Sequence, residues 1–370
     1  AFSSFGANTA SQGIVFRKCT FSGALTSAYL LDITSAMNAG FVQFEDCVFT
    51  NTSSSPLLRV LPGAGSAKVK LVDCTLLTGT SAVTAGSYQQ IITLCPAAGS
   101  TIDLVRCRTT LGQLNTGAGT VSSLEFGGNN STNASNVTGA GITTITDCTI
   151  ELASTVTSLP LFCFLYVNGA GGGAQTAVID GLLLDFNDKQ LTGTPTNGPN
   201  GYSAGAVLTT TNAWIHKLVM KRPPVVNTAT NVSILNSTGT THYEASYSEG
   251  TALSALIVAR YRFVGGYLVA SGCVSLNTGT SGAPAFYFST VTATDCTFAG
   301  IASQAAHAGV VVTSGGAGAT LKFRGCYFYL YCGNTTTSGL QLIGDRYGFF
   351  QGCDIYYFST GVAEAAIYIA

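Results

Sequence analysis

The stretch Phe44-Glu45-Asp46-Cys47-Val48-Phe49 decides the fold, because it returns along the chain. Leu71-Val72-Asp73-Cys74-Thr75-Leu76, Ile145-Thr146-Asp147-Cys148-Thr149-Ile150 and Ala293-Thr294-Asp295-Cys296-Thr297-Phe298 share its pattern. That pattern is apolar-x-Asp-Cys-x-apolar, with Ala in the first place of the last copy. Looser copies are Phe16-Arg17-Lys18-Cys19-Thr20-Phe21, Leu104-Val105-Arg106-Cys107, Phe323-Arg324-Gly325-Cys326-Tyr327-Phe328 and Phe350-Gln351-Gly352-Cys353-Asp354-Ile355. Ile179-Asp180-Gly181-Leu182-Leu183 reads as one more, with Asp180 in the Asp place and Gly181 replacing Cys.

Intervals between equivalent Cys positions are 28, 27, 33 and 41 from Cys19 to Cys148, and 23, 30 and 27 from Cys273 to Cys353. Each is too short for an independent domain and too irregular for a helical repeat of fixed period. They suit a coil of three short strands and three turns, with insertions collected in the turns. Within a copy the local period is two. Val42 and Phe44 alternate with Gln43 and Glu45, as Val69 and Leu71 do with Lys70 and Val72. The Asp-Cys step breaks the alternation. Asp tolerates the left-handed conformation and caps its own turn, so it marks a bend between two strands. Gly23, Gly79 and Gly300 follow soon after and close the next corner.

These copies resemble the repeats of the right-handed parallel β-helix, the pectin-lyase-like solenoid. In that family a small polar residue sits in the turn between two of the three strands. The resemblance places Asp46, Asp73, Asp147, Asp180 and Asp295 there. It covers about residues 14–186 and 262–358, and it speaks to architecture. No catalytic motif of a lyase, polygalacturonase or pectin methylesterase is matched. The fold it implies is all-β, a single right-handed parallel β-helix over 1–370 of roughly 13 coils, on the order of 60 Å long. Like side chains stack on like, so Cys47, Cys74, Cys148, Cys296, Cys326 and Cys353 would form a column. They are either small apolar stackers or, at about 4.8 Å between neighbouring Cα atoms, partners in column disulfides. Residues 187–260 depart from the pattern, with Pro195, Pro199 and Lys221-Arg222-Pro223-Pro224, and read as an irregular insertion or long loops.

Composition narrows the function classes. Charged residues are 9% of 370, against about 25% in an ordinary soluble domain. Ser and Thr number 33 and 49, and Gly 44. A net charge of −1 gives no electrostatic footprint for nucleic acid and no basic patch for a membrane surface. The longest apolar run, Leu161 to Val167, is far short of the roughly 20 residues that cross a bilayer. The chain opens on Ala1 and stops on Ala-Ile-Tyr-Ile-Ala, which reads as a fragment of a longer protein.

Candidate sites are few. The Asp column reads as turn residues rather than a cation-binding strip. No Cys lies in a C-x-x-C pair and no Cys/His cluster has zinc spacing, so no metal and no cofactor are expected. Acid pairs for glycoside cleavage could be drawn from Asp185 with Asp188, Glu244 with Glu249, or Asp345 beside Arg346. The densest polar-aromatic patch contains His242, Tyr243 and Glu244; with Arg260, Tyr261 and Arg262 it forms a candidate glycan shelf. Asn51, Asn129, Asn130, Asn133, Asn136, Asn231, Asn236 and Asn334 stand in Asn-x-Ser/Thr acceptors. The aromatics Tyr327, Phe328, Tyr329, Tyr331, Tyr347, Phe349, Phe350, Tyr356, Tyr357 and Phe358 crowd the C-terminal end. Every second one should be core, and the others should mark an interface.

The expectation is a non-enzymatic structural or attachment protein with no catalytic residues. It would be a segment of a virion spike or fibre, or of an extracellular filament or adhesin, at a virion or cell surface. Identical subunits (a trimer or a filament) would be its partners, and polysaccharide its ligand. The alternative is a polysaccharide lyase or glycoside hydrolase acting on an extracellular glycan.

Overall fold

At the inner copies of the repeat the chain runs in–out–in and then spends two positions outside. Val42 and Phe44 are buried, Glu45 and Asp46 face outward, and Cys47 turns back inside at 0% exposure. The second outward residue makes the corner. It has a positive φ near 50° at Lys18, Asp46, Asp73, Arg106, Asp147, Lys217 and Asp295. Gly325 and Gly352 hold the same place at φ 60°. This left-handed region favours Gly, Asn and Asp, which is why Asp recurs there. At the Lys18, Asp46, Asp73, Arg106, Asp295 and Gly325 corners the backbone N–H donates to the next coil. Lys18 donates to the Glu45 carbonyl, Asp46 to Val72, Asp73 to Val105, and Gly325 to Gln351, at 2.9–3.1 Å. The hydrogen-bond ladder therefore runs through the bend.

The computed structural model describes residues 2–3, 12–24, 29–33, 39–52, 57–60, 65–79, 92–94, 99–112, 124–126, 141–153, 158–160, 165–167, 176–185, 187, 190–192, 206–210, 213–221, 225–226, 232–244, 246–250, 261–271, 274–277, 286–302, 311–314, 319–332, 340–343, 346–359 and 367–369. Among them there is no helix, and so none long and apolar enough to cross a membrane. Among the described residues all strand pairs are parallel, and those of the main sheet lie in three ladders, which is the arrangement of a β-solenoid. The first ladder climbs from Gly13–Arg17 through Phe41–Glu45, Lys68–Val72 and Thr101–Val105 to Ile142–Leu152, Thr176–Asp185 and Ala213–Lys221. It continues through Val232–Glu244, Tyr261–Ser271, Phe286–Thr294 and Ala319–Arg324 to Arg346–Gln351. The second lies beyond the corner: Thr20–Gly23, Val48–Asn51, Thr75–Leu77 and Arg108–Leu111, and later Thr297–Ala302, Tyr327–Cys332 and Asp354–Ser359. The third includes Leu31–Ile33, Leu58–Val60, Ile92–Leu94, Leu124–Phe126 and Leu165–Val167.

One alignment needs correction. Asp180 pairs with Thr146, not with Asp147, and Leu182 pairs with Cys148. Gly181, at φ 80°, is therefore the corner residue, and Leu182 fills the Cys place. A small residue suits either place, so the sequence allowed a slip of one; backbone conformation removes it. The Asp side chains also do more than cap their own turns. Asp73 takes both the Nε and the Nη2 of Arg106, one coil on, at 2.7 Å. The carboxylates of Asp147 and Asp295 lie where a side chain on Gly181 or Gly325 would have to go.

The core is built of columns. Phe16 stacks on Phe44 at 5.1 Å and Phe21 on Phe49 at 4.9 Å, both within 9° of parallel. Phe323 stacks on Phe350 at 5.2 Å near the other end. Each fully buried side chain of this size contributes about 1.5–3 kcal/mol. Part of 187–260 belongs to this framework: Ala206–Thr210, Ala213–Lys221, Val232–Glu244 and Tyr247–Gly250 all pair within the ladders. A separate three-stranded parallel sheet forms from Ser158–Pro160, Gln190–Thr192 and Val225–Val226. Of the aromatic C-terminal region, Phe328 is buried, whereas Tyr327, Tyr329, Phe349, Tyr356 and Phe358 are exposed.

Candidate functional site

The strand Ala213–Lys221 reads Ala-Trp-Ile-His-Lys-Leu-Val-Met-Lys. Ile215 and Leu218 are buried at 1% and 0%, with the corner at Lys217 between them. That alternation turns Trp214 and His216 to the outer face of the first ladder. The corner is pinned from the next coil, where buried Ser246 accepts the Leu218 N–H on its Oγ at 3.0 Å. Ser246 stands in the column that Cys47, Cys74 and Cys148 fill elsewhere. Trp214, the chain's one Trp, is 49% exposed. His216 Nδ1 lies 2.7 Å from Asp180 Oδ1 on the preceding coil, and both side chains are about half exposed.

Register brings the sequence patch to this same place. His242 pairs with Trp214, Tyr243 with Ile215 and Glu244 with His216. Tyr243 thus holds the register of Ile179 and Ile215, which are both core. Asp180, His216 and Glu244 occupy successive rungs of one row, and Val178, Trp214 and His242 occupy the row beside it. Tyr261 and Arg262 fall elsewhere: they pair with Val232 and Ser233, in the third ladder, and so are separated from His242 by a corner. Arg260 lies outside the described residues. Trp214 and His216 are the members of the site that the sequence does not single out; they acquire meaning only through register with residues 28 positions on. Asp180 joins them from its corrected place, one position before the corner.

The remaining candidates scatter. Glu249 lies in Tyr247–Gly250, across the corner from Glu244, and pairs with Leu276. Asp185 Oδ1 accepts the Asn187 N–H at 3.0 Å, a local turn, and Asp188 and Asp345 lie outside the described residues. Asn51 is 1% exposed, so the folded coil has no room for a glycan there; its side chain belongs to the core. Asn236 pairs with Thr209 and Val264 within the ladders. Asn129, Asn130, Asn133, Asn136, Asn231 and Asn334 lie outside the described residues. Among the described residues no group of three or more His, Cys, Asp or Glu is placed to hold a metal ion.

The half-exposed indole presents apolar surface, and the His–carboxylate pair one row away presents a donor and an acceptor. No protein-family model, curated protein or solved structure matches the chain.

Proposed function

We propose that this chain is a non-enzymatic attachment or structural rod, a segment of a virion spike or fibre or of an extracellular filament or adhesin, that binds glycan along its first ladder. On this reading the architecture is a right-handed, pectin-lyase-like β-helix of roughly 13 coils. Right-handedness follows the rule for parallel strands joined by crossovers. The observation that carries the functional reading is Trp214 at the surface with the His216–Asp180 pair one row away. Outer rows of Thr support it as well. Thr144 and Thr146 line the outside of the first ladder on the coil below, a surface that hydrogen-bonds without charge.

Binding to a panel of neutral and acidic polysaccharides tests it. Trp214→Ala should weaken binding about tenfold, the loss of one aromatic platform, with an unchanged circular-dichroism spectrum. Equal binding by wild type and variant, or no binding to any member of the panel, would sink the reading. A second reading, glycan cleavage, has one observation in its favour. Asp180 and Glu244 stand two rungs apart, about 9.6 Å along the ladder, with His216 between. Release of reducing ends, abolished by Asp180→Asn, would select it.

Self-association belongs to the same proposal, as a trimer or filament. Tyr329 and Tyr356 stack at 4.9 Å on the outer face of the second ladder, and Phe358 is 62% exposed on the same strand as Tyr356. Aromatic surface of this kind is the usual content of an interface core. Sedimentation should show an oligomer that Tyr356→Lys shifts towards monomer. A wild-type chain that stays monomeric at every concentration overturns this part of the proposal.

A further inference from the structure

The column of thiols inside the corner carries an inference of its own. Cys19, Cys47, Cys74, Cys107 and Cys148 follow one another on successive coils, and all five are free thiols. Most of these thiols keep the same posture, donating to the carbonyl two residues back: Cys47 to Glu45, Cys74 to Val72 and Cys148 to Thr146, each at 3.3 Å. Like the Cys47–Cys74 and Cys74–Cys107 pairs, the Cys107–Cys148 pair is gripped from both sides: Val105 pairs with Thr146 before the corner and Arg108 with Thr149 after it, and the Thr149 N–H donates to the Cys107 carbonyl at 2.9 Å. It differs in a bond to the sulfur itself, since the Cys107 N–H donates to Cys148 Sγ at 3.4 Å, which no other pair in the column has among the described residues. Both residues are buried, at 2% and 4%. In-register neighbours stand about 4.8 Å apart, inside the Cα range of roughly 4.4–6.8 Å that a disulfide spans.

We infer that Cys107 and Cys148 are the pair that oxidises, forming a rung-to-rung disulfide when the chain folds in the presence of a low-molecular-weight disulfide. The asymmetry of the pair sets the order of events. Hydrogen bonding from Cys107 holds the Cys148 thiol below its ordinary value, whereas its bond to Cys148 and burial push Cys107 up to about 12. Cys148 is therefore the first nucleophile. Its thiolate attacks the small disulfide, forming a mixed disulfide and expelling one thiolate. Cys107 then gives up its proton and attacks the Cys148 sulfur, expelling the second small thiol. Two protein thiols are oxidised and one small disulfide is reduced to two thiols. The new bond closes the longest of the repeat intervals, 41 residues, and so removes the most freedom from the unfolded chain.

The experiment is refolding of the full chain from urea in a glutathione redox couple, followed by intact mass and peptide mapping. The expected result is a mapped Cys107–Cys148 link with a mass loss of about 2 Da, retained in Cys74→Ala and lost in Cys148→Ala. Reducing it should lower the Tm by about 4 °C. A Cys74–Cys107 link, glutathione adducts alone, or thiols that all remain reduced in a folded chain would overturn the inference. Cys107→Ala serves where Cys148→Ala fails to fold, since either substitution removes the link.

Discussion

Replacing Phe44 with Ala is expected to cost about 3–5 kcal/mol of stability. Phe44 is fully buried and sits in a cluster of rings: Phe16 parallel at 5.1 Å, and Phe21 and Phe49 edge-on at 5.7 and 5.3 Å. The cost of a cavity depends on how far its walls can close in. Here they can close very little. Coil spacing is fixed by the ladder hydrogen bonds on either side, from Phe16 to Phe44 and from Phe44 to Leu71. Phe349→Ala is the control, because Phe349 is 53% exposed and its truncation should cost under about 1 kcal/mol. Urea denaturation followed by circular dichroism measures both. In a solenoid each coil contacts its neighbours, so the damage should appear first as early melting of the N-terminal coils. Equal midpoints for the two variants would mean that the columns do not hold the rod together.

The architecture was legible because the repeat is short and its chemistry is strict. Alternation at Val42 and Phe44, the Asp-Cys corner and the return of an apolar residue at Phe49 are each dictated by the coil, and each was readable one copy at a time. Register between coils was not readable where the markers fade. From Leu182 to Ser246 the Cys column is filled by Leu182, Leu218 and Ser246, so the repeat disappears from the sequence while the ladder continues. The site suffered for the same reason. His242 and Glu244 drew notice as a polar patch, but their neighbours Trp214 and His216 are 28 residues away, and pairing alone joins them. Tyr261 and Arg262 looked adjacent in sequence to a shelf from which a corner removes them. Asn51 illustrates the converse: a motif of three residues is blind to the coil that buries it.

Gly181→Ala is expected to destabilise the rod by about 2–4 kcal/mol, through two separable faults. The first is conformational: at φ 80° an L side chain is strained by about 1–2 kcal/mol. The second is steric: the new Cβ would overlap Asp147 Oδ1, whose carboxylate lies over the corner of the next coil. Gly352 separates the two, since it has φ 60° with nothing near its missing side chain. Gly352→Ala should therefore cost only the conformational part. Gly325, over which Asp295 lies in the same way, should behave like Gly181. Adding Asp147→Gly to Gly181→Ala should recover about 1–2 kcal/mol, the coupling expected of residues in contact. Denaturant midpoints of the four single variants, Asp147→Gly among them because glycine at φ 50° changes stability by itself, and of the double variant decide the matter. If Gly181→Ala and Gly352→Ala cost the same and Asp147→Gly rescues nothing, the Asp-over-Gly contact plays no part in choosing glycine. If the order holds, the Asp147–Gly181 and Asp295–Gly325 steps share one packing device: where a carboxylate folds over the next corner, that corner carries no side chain, whereas Asp73 turns to Arg106 and leaves the next corner occupied.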